Sequence, residues 1–377
     1  MKKYFVVLFD GMADYPTADN KTPMLESIKP TVDELAKKSE VGLCQTVPAG
    51  MKPGSDVANL SVMGYDPKIY YTGRSPLEAL SIGVEMNPED VSYRCNLVTL
   101  SPDEPYESKT MVDYSAGEIT TDEARELITF LAQNLTLPDN LKLFAGVSYR
   151  HCLLKLNGET GMELTPPHDI SDRKITEYLP KGKYQDELLG IMKQSYDLLV
   201  NHPVNLSRVS RGLNPATSVW FWGEGRKPLL TPFEELRSLR GAVISAVDLI
   251  KGIGIGAKMT SIDVDGATGN IETNFDGKAS AGIKALDDHD FVYIHVEAPD
   301  ECGHQGQYDQ KTKAIGLIDQ KIVKPIVDHL RLHSIPFKMA ILPDHATPIC
   351  LKTHVSDPVP YLIYDSENEI EGVSTFN

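Results

Sequence analysis

The stretch Tyr4-Phe-Val-Val-Leu-Phe-Asp-Gly11, near the start of the chain, decides the fold class. Its apolar run, Tyr4 to Phe9, is short and rich in residues that favour strands, as is typical of a strand buried inside a sheet. Asp10 then stands at the carboxyl end of that strand, where open α/β sheets bind their ligands. An ordinary Asx turn gives the same Asp-Gly pair, so this stretch alone predicts an α/β sheet and one candidate site residue.

Short apolar runs continue to alternate with amphipathic stretches along the chain, which is the pattern of an α/β protein. A capping box, Thr120-x-x-Glu123, precedes a predicted helix over Ala124 to Leu131. A second helix is predicted around Ile318, and Pro325 is expected to kink or divide it. The further predicted strands are Asn96 to Leu100, Leu141 to Val147, Ser218 to Trp222, Gly241 to Val247, Phe291 to Val296 and Lys338 to Leu342.

Charge and cysteine content exclude several classes of protein. Lys and Arg number 37 against 53 Asp and Glu, and the net charge of −16 argues against nonspecific binding to nucleic acid or to an anionic membrane. No apolar run approaches the roughly 20 residues of a membrane span, and the N-terminal run is too short for a secretion signal. Scattered cysteines without a Cys-x-x-Cys pair predict a reduced, cytoplasmic protein. The oligomeric state stays open.

The length and the distribution of motifs predict two domains. The 377 residues exceed the roughly 250 to 300 over which one hydrophobic core keeps growing. Dense Asp, His and Gly-Ser motifs occupy residues 10–75 and 295–355, whereas residues 85–237 have the pattern of a self-contained α/β segment. We therefore predict one catalytic domain made of residues 1–84 and 238–377, with residues 85–237 inserted into it as a second domain.

Ser55 is the candidate nucleophile. It follows Pro53-Gly54 and precedes a predicted short helix, Val57 to Met63, that Gly64 closes. A serine at a helix start lies among free backbone N–H groups, which favour a bound phosphate or an alkoxide, although a plain N-cap has the same sequence. A hydroxyl needs an activator before it can attack, so the rest of the chain must supply one.

The stretch His295-Val-Glu-Ala-Pro-Asp-Glu-Cys-Gly-His304 carries the strongest signal of chemistry. Asp300 and His304 are four residues apart, close enough to bind one metal ion, and this ligand pair suits Mn or Zn better than Mg. A surface salt bridge is the alternative for such a pair. Cys302 lies between them and is interpreted as a small packing residue rather than a ligand.

A second group of metal ligands follows the predicted strand that ends at Leu342. Asp344 and His345 come directly after it, and His354 follows nine residues later. Together with Asp10, Asp300 and His304 these residues supply three carboxylates and three imidazoles, enough for two metal sites bridged by Ser55. In two-metal phosphoryl transfer, one ion activates the attacking oxygen and both neutralise the phosphate. The activator that Ser55 needs is then a metal ion.

Two glycine-rich stretches are not interpreted as nucleotide-binding or phosphate-binding loops. Lys251-Gly-Ile-Gly-Ile-Gly256 has the spacing G-x-G-x-G and lacks the acidic residue expected after a second strand, so it is not interpreted as a dinucleotide loop. Gly223-Glu-Gly-Arg-Lys-Pro228 is predicted to be a turn with basic residues rather than a phosphate cradle.

The motifs resemble those of the archaeal-type, cofactor-independent phosphoglycerate mutases of the alkaline phosphatase superfamily, over nearly the whole chain. The matching motifs are Asp10-Gly11, Pro53 to Pro67, His295 to His304 and Pro343 to Pro348. The resemblance implies an α/β fold with an alkaline-phosphatase-like core made from both chain ends and an inserted α/β substrate-binding domain.

The resemblance also implies roles for individual residues. Ser55 is expected to be the transiently phosphorylated nucleophile and, with Asp10, Asp344 and His345, a ligand of one metal ion. Asp300, His304 and His354 are expected to bind the other ion. The implied ions are two divalent cations, Mn first, with Mg, Co or Zn as alternatives. The implied reaction interconverts 3- and 2-phosphoglycerate without 2,3-bisphosphoglycerate, so the expected partner is a small phosphorylated hydroxy acid.

Substrate contacts are implied for cationic residues in segments that resemble the anion-binding motifs of the family. A guanidinium fork suits carboxylate and phosphate, although an arginine in an acidic protein can equally form a surface ion pair. The residues are Arg94, Arg150, His151, Arg211 and Lys251.

The chain departs from the family where archaeal mutases usually carry arginine-rich runs. It has Asp113-Tyr-Ser-Ala-Gly-Glu118 and Trp222-Gly-Glu-Gly-Arg226 in their place. The alternative function is therefore a homoserine-kinase-like phosphotransferase on the same metal site, with Glu118 and Glu224 as candidate partners of an ammonium group. Phosphomonoester hydrolysis, and a metal-dependent sensor without turnover, are further alternatives.

Overall fold

The computed structural model describes residues 2–103 and 105–377, in which strands and helices alternate along the chain. The strands are β1 (Lys3–Phe9), β2 (Ser39–Cys44), β3 (Val91–Leu100), β4 (Met111–Asp113), β5 (Leu141–Val147), β6 (Arg150–Lys155), β7 (Ser218–Arg226), β8 (Gly241–Ile244), β9 (Thr260–Ile262), β10 (Phe291–Val296), β11 (Phe337–Leu342) and β12 (Val359–Asp365).

The α-helices are α1 (Pro23–Glu26), α2 (Pro30–Ala36), α3 (Ser55–Val62), α4 (Pro67–Tyr70), α5 (Arg74–Ser81), α6 (Thr121–Asn134), α7 (Gln185–Leu199), α8 (Pro203–Ser210), α9 (Phe233–Arg237), α10 (Asp248–Gly256), α11 (Phe275–Ala285), α12 (Ala298–Gln305), α13 (Tyr308–Ile318) and α14 (Lys324–Leu332). Three 3₁₀ turns and one π-helical turn complete the set: Tyr106–Ser108, Pro167–Ile170, Ile175–Tyr178 and Asp319–Val323. None of the helices in the described part of the chain has the length and hydropathy that crossing a bilayer requires.

The chain forms two compact units. The first comprises the residues up to Tyr71 and those from Leu230 onward. Its seven-stranded sheet has the order β2-β12-β11-β1-β10-β8-β9. β1 lies at the centre and runs parallel to both of its neighbours, β10 and β11. Alternate residues of β1, including Phe5 and Val7, pack against α13 and α14 in one hydrophobic core, because successive side chains of a strand point to opposite faces.

The second unit comprises residues Thr72–Leu229. Its sheet has the order β4-β3-β6-β5, with β7 paired to the central strand β3, and all of these pairings are antiparallel. Apolar residues of α6 and α7, such as Leu127 and Met192, pack with Trp220 of β7 in a separate core. Both units thus combine helices with a sheet, and the predicted α/β class is confirmed.

The predicted strands all appear, with small differences at their ends. β5 and β10 have the predicted bounds, whereas β3 begins earlier, at Val91, and β8 ends earlier, at Ile244. Five strands of the described residues were not predicted: β2, β4, β6, β9 and β12. The edge strand β2 and its neighbour β12 mix polar and apolar residues and lack a buried run. The predicted helix with the capping box is confirmed: the Thr120 hydroxyl accepts a hydrogen bond from the Glu123 N–H.

The predicted turn at Gly223 to Pro228 is wrong over its first four residues, because β7 continues to Arg226. Gly223 adopts a φ of +62°, and a side chain on Gly225 would collide with the backbone of Thr72. The β3–β7 register shifts between Ser92 and Arg94. The glycines thus allow a bulge and a close backbone approach within a strand, which sequence patterns do not distinguish from a turn.

Two further predictions are confirmed. The helix around Ile318 is divided as expected: α13 passes through the π-helical turn Asp319–Val323 into α14, where Pro325 occupies the first turn and needs no N–H partner. The glycine-rich stretch after Lys251 lies inside α10 and forms no loop.

The bounds of the second unit differ from the predicted 85–237. Helix α5 packs on β3 and β7 and so belongs to the second unit. Phe233 of α9 packs against Phe291 of β10, with ring centroids 4.7 Å apart, so α9 belongs to the first unit. Packing partners distant in sequence, which composition does not reveal, set these boundaries.

Candidate active site

The site residues of the first unit lie where its central parallel strands end. Asp10 follows β1, and Asp344 and His345 follow β11. β10 is followed by Glu297 and then by α12, which carries Asp300 and His304, and His354 lies between β11 and β12. Parallel neighbours end at the same edge of a sheet, so residues far apart in sequence meet here.

The first ligand set consists of Asp10, Asp344 and His345, all buried, with candidate ligand atoms within 4.8 Å of one another. His345 Nε2 lies 3.3 Å from Asp344 Oδ2 and 3.7 Å from Asp10 Oδ1. Ser55 Oγ lies 3.1 Å from the same imidazole nitrogen. The structure therefore brings the predicted nucleophile to this ligand set.

The second ligand set consists of Asp300, His304 and His354, which also meet within 4.8 Å. His304 Nε2 lies 3.2 Å from Asp300 Oδ2, and His354 Nε2 lies 3.4 Å from Asp300 Oδ1. Asp300 is buried, whereas the side chain of His304 retains 36% of its exposure and that of His354 retains 22%. The rings of His345 and His354 stack with centroids 3.9 Å apart, so the two sets adjoin.

The residues fit divalent cations. Asp10 Oδ1 is buried and has no hydrogen-bond partner among the described residues. Burial raises the pKa of Asp10, and the charges of Asp344 and Asp300 raise it further. Glu297 also meets Asp10 and Asp300 within 4.8 Å. A buried group of carboxylates with an unbonded oxygen requires positive charge, and a carboxylate–imidazole set suits Mn or Zn.

Burial would raise the pKa of Asp300, but its hydrogen bonds with His304 and His354 outweigh burial and hold the pKa well below its ordinary value. The contact with Asp300 raises the pKa of His304 to about 9. Protons and metal ions therefore compete for this ligand set.

Several residues that hold the ligands were not predicted. The Asn59 amide donates to Asp344 Oδ2 (2.8 Å), and Tyr293 donates to Asn59 Oδ1 (2.6 Å). The Thr347 hydroxyl donates to Asp300. Asn59 lies one helical turn after Ser55, and this spacing was an available signal. Gly11, with a φ of +61°, lies so close to Asp300 that a side chain would collide with it.

An arginine cluster in the second unit contains two of the predicted substrate residues. Arg94 is buried, pairs with Glu78 Oε2 at 2.8 Å and lies 4.2 Å from the centre of the Trp222 ring. Glu78 also pairs with Arg74, at 3.0 Å. Burial would raise the pKa of Glu78, but the charges of Arg94, Arg74 and Arg150 leave it below its ordinary value. Arg74 and Glu78 were not predicted, although their i,i+4 spacing at a helix start could have indicated a pair.

His151 follows Arg150 on β6 and is buried. Its Nδ1 accepts a hydrogen bond from Gly146 N–H at 3.0 Å, so the ring proton is on Nε2, which has no hydrogen-bond partner among the described residues. Burial lowers the pKa of His151 to about 3, and the charge of Arg150 contributes. His151 is therefore neutral.

The other two predicted substrate residues are engaged elsewhere. Arg211 is exposed and pairs with Glu123, which also binds Arg208. Lys251, in the first unit, pairs with Asp263 at 2.6 Å. Neither residue is part of the Arg74–Arg94–Arg150 cluster.

Comparisons with known proteins identify the family. Residues 36–205 match the family model described as 2,3-bisphosphoglycerate-independent phosphoglycerate mutase. A protein of that name from Methanosarcina barkeri is 50% identical over 370 residues, which cover 97% of this chain and 91% of the relative. The chain belongs to this mutase family. A second relative, the mutase 1 of Methanocaldococcus jannaschii, is 35% identical over 390 residues and covers 100% of this chain and 92% of its own length.

Two solved structures share the fold of this chain. A protein from Pyrococcus horikoshii is 27% identical, with a TM-score of 0.82 over 100% of this chain and 91% of its own. The cofactor-independent phosphoglycerate mutase of Thermoplasma acidophilum, 24% identical, shares the fold with a TM-score of 0.63, over 100% of this chain and 93% of its own. The resemblance drawn from the motifs is confirmed, and the comparisons favour the mutase over the kinase-like alternative.

The two glutamates that stand where mutases usually have arginine occupy different surroundings. Glu224 Oε1 accepts hydrogen bonds from the backbone N–H groups of Gly161 and Met162, at 2.6 and 2.9 Å, so this carboxylate holds a loop. Glu118 is exposed, with a φ of +50°. Glu224 Oε1 thus has structural partners, whereas Glu224 Oε2 is buried and has no hydrogen-bond partner among the described residues.

Proposed function

We propose that this member of the family interconverts 3-phosphoglycerate and 2-phosphoglycerate, with Ser55 as the nucleophile. The observation that carries the proposal is the position of Ser55 Oγ, 3.1 Å from His345 Nε2 in the first ligand set. Ser55 also begins α3, so it lies at the positive end of the helix dipole. That end favours a phosphoryl group or a negatively charged oxygen.

Two divalent cations would be held by the two ligand sets, with Ser55 completing the set of Asp10, Asp344 and His345. When bound, such ions supply positive charge that neutralises phosphoryl oxygens and lowers the pKa of a hydroxyl group. Asp300, His304 and His354 form the second set. The donor atoms allow Mn, Zn, Co or Mg, and we propose Mn first because carboxylate and imidazole ligands are mixed.

Ser55 carries the phosphoryl group between two hydroxyls of the same substrate. In the first half-reaction, a bond forms between Ser55 Oγ and phosphorus while the bond from phosphorus to the 3-oxygen breaks, and the departing oxygen gains the proton that Ser55 loses. In the second half-reaction a bond forms between the 2-oxygen and phosphorus while the bond from phosphorus to Ser55 Oγ breaks, and Ser55 Oγ gains the proton that the 2-hydroxyl loses. No phosphate is released in this scheme. The family is 2,3-bisphosphoglycerate-independent.

The substrate carboxylate requires cationic partners, which we propose are Arg94 and Arg150, with His151 beside them. Arg94 is buried and pairs with Glu78, and the charges of Arg74 and Arg150 also act on that carboxylate. Guanidinium groups bind a carboxylate or phosphate with charge-assisted hydrogen bonds. Arg211 and Lys251 have acidic partners already and stay weaker proposals.

We also propose a cytoplasmic location, which the five free cysteines support. The proposed partner is the small phosphorylated hydroxy acid alone.

A product assay tests this function. Purified protein with saturating Mn²⁺ is given 3-phosphoglycerate, and separately homoserine with candidate phosphate donors, while phosphorus NMR follows the products. We expect the 2-phosphoglycerate signal to grow to equilibrium without inorganic phosphate. Phosphorylation of homoserine without interconversion of the phosphoglycerates would replace the mutase with the kinase-like alternative, and inorganic phosphate as the main product would replace it with a hydrolase.

A further inference from the structure

His295 is a fully buried histidine on β10 that belongs to neither ligand set. We propose that His295 is a positioning residue, which in its neutral Nε2–H form orients Asp10 for the cation that Asp10 shares with Ser55. The proposal rests on the proposed function, because it assumes that Asp10 is a metal ligand. The proposal assigns a role to a residue that contacts a metal ligand without binding the ion itself. The test measures metal binding as well as catalysis.

The sheet order places the members of this arrangement side by side. β8, β10 and β1 are consecutive, parallel strands. Ser245 directly follows β8, His295 lies near the end of β10, and Asp10 directly follows β1. On β10, His295 and Tyr293 point to the polar face, whereas Val292, Ile294 and Val296 pack in the core. The polar face of this central strand therefore lies under the ligand sets.

The hydrogen bonds determine which nitrogen of His295 carries the proton. Ser245 Oγ accepts a hydrogen bond from Val247 N–H at 2.9 Å, and lies 3.1 Å from His295 Nδ1. Asp10, as a metal ligand, is a carboxylate and can only accept, so His295 Nε2 carries the proton and donates it to Asp10 Oδ2 at 2.8 Å. In the neutral ring Nδ1 is then unprotonated, and it accepts the hydrogen bond from the Ser245 hydroxyl. Backbone, hydroxyl and imidazole thus form one directional chain that ends at Asp10.

The two carboxylate oxygens of Asp10 differ in their hydrogen bonding. Oδ2 is held by His295, whereas Oδ1 is buried and has no hydrogen-bond partner among the described residues. Asp344 is held from several sides: by the N–H groups of Gly11 and His345 on Oδ1, and by Asn59 on Oδ2. The orientation of Asp10 therefore depends on His295 far more than that of Asp344 depends on any single donor.

Partners of this kind behind a metal ligand fix its orientation, and their loss typically costs about 10- to 100-fold in metal affinity. Since Asp10 and Asp300 lie in different ligand sets, the loss of His295 should affect one ion and spare the other. A purely structural role in the core would instead lower stability without distinguishing the two ions.

The test is Mn²⁺ binding to the metal-free full-length protein, measured by calorimetry without substrate, for wild type, His295→Ala and His295→Gln. We expect His295→Ala to bind one of two ions about 10- to 100-fold more weakly and the other within about threefold of wild type. His295→Gln keeps an N–H donor at similar reach and should keep both affinities within about threefold. The matched control is His289→Ala, because His289 lies in the same unit and contacts Thr260 instead.

Two further measurements keep the proposal open to refutation if His295→Ala does not fold. Nitrogen-15 NMR of the histidine rings should show that His295 is protonated at Nε2 and not at Nδ1. In an Asp10→Asn background, His295→Gln and His295→Ala should have the same Mn²⁺ affinity, because the Asp10 carboxylate that residue 295 would orient is then absent. Wild-type affinity for both ions in His295→Ala, Nδ1 protonation, or a folded His295→Gln that has lost metal affinity would each overturn the proposal.

The outcome does not depend on the proposed reaction. If wild-type protein fails to interconvert the phosphoglycerates but shows the selective loss of one ion in His295→Ala, the proposed function fails and the role of His295 stands. If interconversion is normal and both affinities are unchanged in His295→Ala, the role of His295 fails alone.

Discussion

Each unit of the chain contains one cluster of like charges, and the two clusters have opposite signs. In the first unit, Asp10, Asp300 and Asp344 meet with Glu297 nearby, and the pKa of Asp10 is raised by burial and by these carboxylates. In the second unit, Arg74, Arg94 and Arg150 surround the single carboxylate of Glu78, and burial lowers the pKa of Arg94 to about 10.

The comparison shows that an excess of one sign of charge in a cluster can indicate a ligand-binding site. A fold that served stability alone would pair such buried charges or replace them with apolar residues, because unpaired buried charge is costly. We propose that divalent cations bind at the first cluster and that the phosphorylated acid binds at the second.

The largest effect is expected at Ser55, the proposed nucleophile, beside the carboxylate cluster of the first unit, here called the negative cluster. The arginine cluster of the second unit is the positive cluster. Ser55→Ala should reduce phosphoryl transfer by roughly three orders of magnitude or more, because it removes the attacking oxygen while leaving the ligand sets intact. Phosphoglycerate interconversion and Mn²⁺ binding are measured together. The matched control is Ser61→Ala on the same helix, where the hydroxyl bonds only to the backbone of Val57. Substantial exchange by Ser55→Ala would favour direct attack by water.

The next effect concerns the ions that balance the negative cluster. His354→Ala should weaken binding of one Mn²⁺ ion by about 100-fold and lower activity at limiting Mn²⁺, because it removes one imidazole ligand. Exhaustive chelation of the wild type should abolish turnover, and added Mn²⁺ should restore it. His329→Ala, on α14, is the control. Full activity of metal-free protein would contradict the account of the negative cluster.

The positive cluster should respond to a different substitution. Arg150→Ala should reduce kcat/KM for 3-phosphoglycerate by about 100-fold, since losing one partner of a buried charge-assisted contact typically costs about 2 to 5 kcal/mol. Hydrolysis of a small phosphate ester without a carboxylate should hardly change. Arg125→Ala, an exposed arginine of the same unit, serves as control. Equal losses with both substrates would mean that Arg150 does not recognise the carboxylate.

The smallest effect is a pH dependence at the edge of the positive cluster. Burial lowers the pKa of His151 to about 3, so between pH 6.5 and 3 the unfolded chain binds a proton that the folded chain does not. Stability is therefore complete above pH 6.5 and falls as the pH falls, by about 2 kcal/mol at pH 5. Between pH 7.5 and 5, the free energy of unfolding of His151→Gln, measured by urea titration, should therefore fall by about 2 kcal/mol less than that of the wild type. His333→Gln, at an exposed histidine, should follow the wild type, and the same slope in His151→Gln would mean that His151 titrates normally.

Much of the fold and of the first cluster could be predicted because local sequence carries the information. Short apolar runs that end in Asp or Asp-His indicate strand ends, and strand ends of a parallel sheet meet at one edge. Asp10 and Asp344 could be named for that reason, Asp300 because it lies four residues before His304, and Ser55 because a Gly-Ser step begins a helix. The edge strand β2 carried no such run and was missed.

Only the tertiary structure decided which residues support these groups and which cations cluster. Asn59, Tyr293 and Thr347 are ordinary polar residues in sequence, and their hydrogen bonds to the ligand system depend on contacts across 47 to 285 positions. Arg74 and Arg211 look alike in sequence, yet Arg74 shares Glu78 with Arg94, whereas Arg211 shares Glu123 with Arg208. The physical reason is that a side chain's chemistry is local, but its partners are set by how distant strands and helices pack.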